Sequence, residues 1–356
     1  MNEKKILRNI IGAILSQNYS NVSLDISNGK MGACLSLFVA SRFLEDKFIL
    51  EKAEWLIDEI YRDCEKKSIS TQIDFETGLA GIAFAITYLI KHGYIDADPN
   101  DVLKELDDCI FRWISSKAIG ELQNYTSLLY GILFYLLYNI HFYKNIESEP
   151  VQLKKELVIL IINSIELSND QNGYTQINSE PFIFNMNLYK LPVYIYLIAE
   201  TYKLNFYNYK LDRIIDNLTT FILSSFPRLT SNRIYLISSV KYLMNIKPVP
   251  LWEKHISILE KSIDIDTMLK YEFKDKSIAL NNGVSGLLML LTSIQETENL
   301  KYKEELCFKI LKKIEHSSYF KSLKEENNFL SMRSGSCGIV LSLSLYGMWK
   351  EKYCKL

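Results

Sequence analysis

Turn-forming residues are scarce in this chain: 356 residues hold 7 prolines and 14 glycines. That scarcity excludes an architecture of many tight hairpins and leaves little material for linkers, so long helices are expected. Charge imbalance is missing too. The formal net charge is −1, and lysines and arginines interleave with acids without forming a basic tract. A nucleic-acid-binding face is therefore not expected. No apolar run reaches the roughly 18 residues that a membrane-spanning helix needs, so no integral membrane segment is expected. The six cysteines, Cys34, Cys64, Cys109, Cys307, Cys337 and Cys354, contain no Cys-x-x-Cys pair. Thiols scattered in this way are expected to be reduced, mostly buried and cytoplasmic.

What the chain does have is a recurring glycine pair at the start of an apolar run. "ALNNGVSGLLMLL" carries Gly283 and Gly286, "SNGKMGACLSLFVASRFL" Gly29 and Gly32, "ETGLAGIAFAITYLI" Gly78 and Gly81, and "RSGSCGIVLSLSLYG" Gly335 and Gly338. "TSLLYGILFYLLYNI" keeps only the second glycine, Gly131. Gly32, Gly81 and Gly131 stand about 50 residues apart, as do Gly286 and Gly338, which marks an internal repeat. The gap between Gly131 and Gly286 has room for two further copies. "NMNLYKLPVYIYLIAETY" supplies one, with Pro192 in place of the second glycine, and "SNRIYLISSVKYLMNI" the other, with Ser239 there.

Each unit reads as a helical hairpin. The helix after the glycines is apolar nearly all round, as in "GIAFAITYLI", and is expected inside. The following helix has one apolar face, as in "KFILEKAEWLIDEIYRDCEK" and "DVLKELDDCIFRWISSK", and is expected outside. The N-terminal segment, with Ile6, Leu7, Ile10, Ile11, Ile14 and Leu15 at helical spacing, reads as an amphipathic helix rather than a signal peptide. Seven such hairpins predict an all-α fold, and inner helices apolar on every side favour a closed double ring, an α/α toroid, as one domain over residues 1–356. In this reading the first glycine of each pair takes a positive φ and the second lets crowded helix starts approach. The glycines then locate the mouth of the ring, where helix N-termini converge.

Seven Gly-x-x-Gly hairpins along the whole chain resemble the lanthionine synthetase C-like (LanC) family, most closely in "ETGLAGIAFAITYL", "NNGVSGLLMLL" and "SGSCGIVLSLSLYG". The resemblance implies an α/α toroid. It also implies an enzyme that uses one zinc, held by two cysteines and a histidine, to join peptide cysteines to dehydrated serines or threonines as thioethers. The ligand positions have changed here. The family's sixth-unit Cys-His-Gly matches Asn281-Asn282-Gly283, and its fifth-unit Trp-Cys-Tyr-Gly matches Arg233-Ile234-Tyr235-Leu236. Its fourth-unit histidine-glycine falls at Leu188-Tyr189, and its third-unit acid at Asn124. None of the four histidines, His92, His141, His255 and His316, lies in a glycine turn, and asparagine is a poor zinc ligand.

The expectation is therefore a metal-free, non-catalytic relative in lanthipeptide-type maturation, with no cofactor. Asn124, Leu188, Ile234, Tyr235, Asn281 and Asn282 would form a vacated, peptide-binding mouth. Its partner would be a precursor peptide or a modifying enzyme such as a dehydratase. An active zinc cyclase with displaced ligands is the first alternative. The second is a carbohydrate-active toroid enzyme using acids near the turns, such as Asp25, Asp74 and Glu76. Cys34 and Cys337, in units that ring closure would make neighbours, are a candidate substitute site.

Overall fold

A computed structural model describes residues 3–66, 72–143, 147–293, 302–319 and 330–353. Among them there is no strand; the protein is all-α. The longer helices are α1 (Glu3–Leu15), α2 (Lys30–Leu44), α3 (Lys47–Lys66), α4 (Leu79–Lys91), α5 (Lys104–Ser115), α6 (Thr126–Ile140) and α7 (Glu149–Gln171). They continue as α8 (Lys190–Lys203), α9 (Asn208–Ser224), α10 (Thr230–Ile246), α11 (Pro250–Lys261), α12 (Val284–Ser293), α13 (Lys303–His316) and α14 (Ser336–Tyr353).

Two kinds of helix alternate. In α2 every residue except Arg42 is buried, as expected of a helix without a polar face. The odd-numbered α5 instead buries Leu106, Ile110 and Ile114, a single stripe at helical spacing. The stripe of α1 holds Ile6, Leu7, Ile10, Ile11 and Ile14, and this helix packs on α14 and α2. Even-numbered helices pack in chain order, α2 on α4, α4 on α6, α6 on α8, α8 on α10, α10 on α12 and α12 on α14, and α14 packs back on α2. Their buried side chains belong to one apolar cluster. Among the described residues no helix is long and apolar enough to cross a membrane.

The turns into the even-numbered helices correct one expectation. Gly29 and Gly78 have φ of −106° and −121°, so neither needs the left-handed region. Close approach is what demands glycine. A Cβ on Gly78 would sit 2.5 Å from the carbonyl oxygen of Gln72, and one on Gly81 would sit 1.9 Å from that of Phe75. Ile26, from the turn before α2, lies 2.6 Å from that same Gly81 position. The chain folds back over the first turn of its own helix, and the neighbouring unit's apolar side chain fills the rest.

The repeat expected around Ser239 shows a second difference. Its helix, α10, begins at Thr230, so Ser239 lies mid-helix rather than at the turn. Pro192, by contrast, is the third residue of α8, the place that Gly81 holds in α4. Periodicity alone put the fifth turn about two helical turns too late because no glycine marks it.

Candidate functional site

Four of these turns share a local device. The side-chain oxygens of Asp25 accept from the Asn28 N–H at 2.7 Å and from the Ser23 hydroxyl at 2.5 Å. Asp74 accepts from the Thr77 N–H and hydroxyl at 2.7 and 2.8 Å. Asn185 accepts from the N–H groups of Asn187 and Leu188, and Ser331 from those of Arg333 and Ser334. Short polar side chains pin backbone turns in this way. Asp25 and Asp74 thus both act as acceptors that hold turns.

The pinned turns then hold one another through the main chain. Met186 N–H donates to the Asn281 carbonyl at 3.0 Å, and Asn281 N–H to the Arg333 carbonyl at 2.9 Å. Met332 N–H donates to the Ser27 carbonyl at 2.7 Å, and Ser27 N–H to the Glu76 carbonyl at 3.0 Å. The two ends of this chain meet through side chains: Asn187 Nδ2 donates to Glu76 Oε1. Arg333 Nη1 lies 2.6 Å from Glu76 Oε2. The linked turns are those entering α8, α12, α14, α2 and α4.

Beside them opens a cavity of about 460 Å³. Asp74, Glu76, Asn187 and Lys190 contribute its polar wall, and Phe75, Tyr130, Phe134, Met186 and Val193 its apolar one. Gly131 also lines it, and a Cβ there would meet the Phe75 Cβ at 2.5 Å. Below, aromatic rings continue along the inner helices. Phe134 meets Phe75 and Phe84 at 5.5 and 5.1 Å, and Phe84 meets Tyr138 at 4.9 Å between centroids. A smaller hollow of about 270 Å³, by Arg42 and Tyr94, lies at the C-terminal ends of α2 and α4.

The sequence candidates fall into two groups. Asn281 is half-buried and joins two turns through its main chain, while its side-chain Oδ1 is buried without a hydrogen-bond partner. Asn282 is exposed, Leu188 is exposed beside Asn187, and Asn124 is exposed in the 3₁₀ turn that leads into α6. Ile234 and Tyr235 lie inside α10 rather than in the turn before it. Ile234 is fully buried inside α10, and Tyr235 is buried with its ring set against Phe184 and Tyr189. Burial raises the Tyr235 hydroxyl above its ordinary pKa. The turn that enters α10 is instead Phe226-Pro227-Arg228-Leu229.

Zinc does not suit these residues. The turn before α12 offers two amides, the one before α10 a proline, and neither supplies zinc's favoured thiolate or imidazole. Among the described residues no three histidine, cysteine, aspartate or glutamate side chains are grouped to hold a metal. His92 and His141 follow the C-termini of α4 and α6, at the other end of the helices from the glycines. Cys34 and Cys337 are fully buried. Burial raises both thiols, that of Cys337 to about 12, while Ser36 pulls it down less strongly. Cys34 donates its S–H to the Ala53 carbonyl oxygen at 3.5 Å inside the core.

Sequence reasoning missed the carboxylates that cap α10. Glu180 and Glu272, from flanking segments, accept the N–H groups of Arg228, Leu229, Thr230 and Ser231. Partners more than 40 residues away leave no local signal. In the four pinned turns the Asp, Asn or Ser stands four residues ahead of the first-glycine position, a spacing present in the sequence at Asp25, Asp74, Asn185 and Ser331. No family model matches the chain, and no curated protein matches it.

Proposed function

We propose that the protein is a metal-free LanC-like binder of peptides in lanthipeptide-type maturation, a single α/α toroid over residues 1–356 built from seven helical hairpins. The return of α14 onto α2 supports the closed ring. The alternation of fully buried and one-faced helices supports the two layers.

One observation carries the functional reading. Five of the turns that enter the inner helices are tied into a rim beside an aromatic-floored cavity, and the rim offers amides where thioether chemistry needs a metal. With the fifth turn read from the start of α10, Phe226-Pro227-Arg228-Leu229 stands against the family's Trp-Cys-Tyr-Gly, and Pro227 takes the thiol position. Without zinc the rim cannot lower a substrate thiol's pKa by the family route. Its exposed amides, main-chain groups and apolar floor suit a bound peptide. The fold-level analogy supplies the pathway, and the site supplies the loss of chemistry.

The test is elemental analysis of purified protein, followed by incubation with a dehydrated, cysteine-containing precursor peptide. Peptide is expected to bind without stoichiometric zinc and without thioether formation. Stoichiometric zinc, removed by a chelator together with thioether formation, would establish the displaced-ligand cyclase instead.

A further inference from the structure

The cavity holds one lysine, set among two carboxylates without forming a salt bridge to either. Lys190, the first residue of α8, lines the cavity with its ammonium 5.5 Å from the centre of the Tyr130 ring. No carboxylate among the described residues forms an ion pair with it. The two acids that share the cavity are engaged elsewhere. Asp74 holds the Thr77 N–H and hydroxyl, and Glu76 holds Asn187 through one oxygen and Arg333 through the other. An ammonium brings three donors, so the wall lacks an acceptor at this point. Burial lowers the Lys190 pKa, with Glu76 opposing from farther off, which is the cost that a bound anion would relieve. Next to the cation, Phe134 and Val193 give an apolar surface.

We infer that the cavity recognises a peptide carboxylate next to an apolar side chain, the carboxylate pairing with Lys190 and the apolar group resting on Phe134 and Val193. This rests on the reading of the mouth as a peptide site and names the chemistry that the site selects. Two sources carry that group, an aspartate or glutamate side chain and a free C-terminus.

The experiment is a peptide array, randomised around one apolar residue and immobilised in two orientations, through the C-terminus and through the N-terminus. Labelled wild-type protein, Lys190→Gln and Lys190→Arg are applied after melting curves show that each is folded. Wild type is expected to favour acidic spots, or free-terminus spots, by about tenfold over their amide counterparts. Enrichment in the first orientation assigns a side chain, and enrichment in the second alone assigns the C-terminus. Lys190→Gln should abolish the preference and Lys190→Arg should keep it. Peptide binding without acid preference, or a preference that survives Lys190→Gln, overturns the inference and leaves the peptide site standing. Absence of binding to any spot in either orientation overturns both.

Discussion

Glu180 accepts the main-chain N–H of Leu229 at 3.0 Å, across 49 positions of sequence. It also accepts the Arg228 N–H at 2.8 Å and the Asn232 side-chain amide at 3.0 Å. Glu272 takes the N–H groups of Thr230 and Ser231 at 2.6 and 3.0 Å. Two carboxylates therefore serve the N-terminus of α10, whose turn has neither a glycine nor a side-chain pin of the kind made by Asp25, Asp74, Asn185 and Ser331. Anions at a helix N-terminus satisfy orphan donors and complement the dipole. Glu180→Ala is expected to destabilise the protein by about 1–2 kcal/mol, read from urea unfolding at neutral pH. An unchanged midpoint would mean that Glu272 and water suffice.

The same carboxylate predicts a pH dependence. Burial alone would raise its pKa, but the N–H groups of Leu229 and Arg228, the Asn232 amide and the Arg228 charge together hold it below the ordinary value. A depressed folded pKa means that the unfolded chain takes up the proton first. The stabilisation is therefore full above the unfolded value and fades as pH falls through the lower, folded one. The stability gap between wild type and Glu180→Gln should be present at neutral pH and shrink as pH falls below the ordinary glutamate range, about 4.3. A gap that widens on acidification would contradict the assignment.

Gly81→Ala tests the crowding of the turns. The added Cβ would meet the Phe75 carbonyl oxygen at 1.9 Å and Ile26 Cγ2 at 2.6 Å. The first contact is backbone within its own unit, and the second belongs to the neighbouring unit, so relaxation must shift both. Overpacking of this kind costs about 1–3 kcal/mol, measured as a lower thermal midpoint. Gly12→Ala, where nothing lies within 4 Å of the new Cβ, should leave the midpoint unchanged or raise it.

The contrast between those glycines shows what the sequence made legible. Helix type and the four glycine-paired turns could be read because apolar periodicity and glycine spacing are local signals. Three things were beyond such signals. Gly78 reads as a residue of unusual φ, yet its need is proximity to Gln72 and Asp74, which only the folded loop creates. The start of α10 carries no glycine and its caps come from distant segments. The tie between Glu76 and Arg333 joins residues 257 positions apart, so nothing near either one announces it.

Tyr235 changes its expected role for the same reason. At a mouth, removing its ring would weaken peptide binding; buried against Phe184 and Tyr189, the ring belongs to the core. Tyr235→Ala is expected to cost about 3 kcal/mol or more, the range of large aromatic truncations, in chemical unfolding. Leu188→Ala, at a side chain 58% exposed, should change stability by less than about 0.5 kcal/mol. Should Tyr235→Ala leave stability intact while weakening peptide binding, the tyrosine would return to the mouth.

The register of the fifth turn has a direct chemical test, which rests on the proposed family. If the thiol position is Pro227, then Pro227→Cys together with Asn281→Cys and Asn282→His brings two thiols and an imidazole to the rim, a donor set that zinc favours. Ile234 is the thiol position only if α10 begins later. Because Ile234 is fully buried within the helix, a cysteine there is held inside the core. The triple variant built on Pro227→Cys is expected to purify with stoichiometric zinc. The same variant built on Ile234→Cys is not. Zinc binding is expected to release protons as the thiols ionise, so retention should fall as pH is lowered. Elemental analysis of the two proteins, each with a melting curve to show that it is folded, decides the matter. Zinc held by the Ile234→Cys version alone would reinstate the later register and move the vacated site two helical turns into α10.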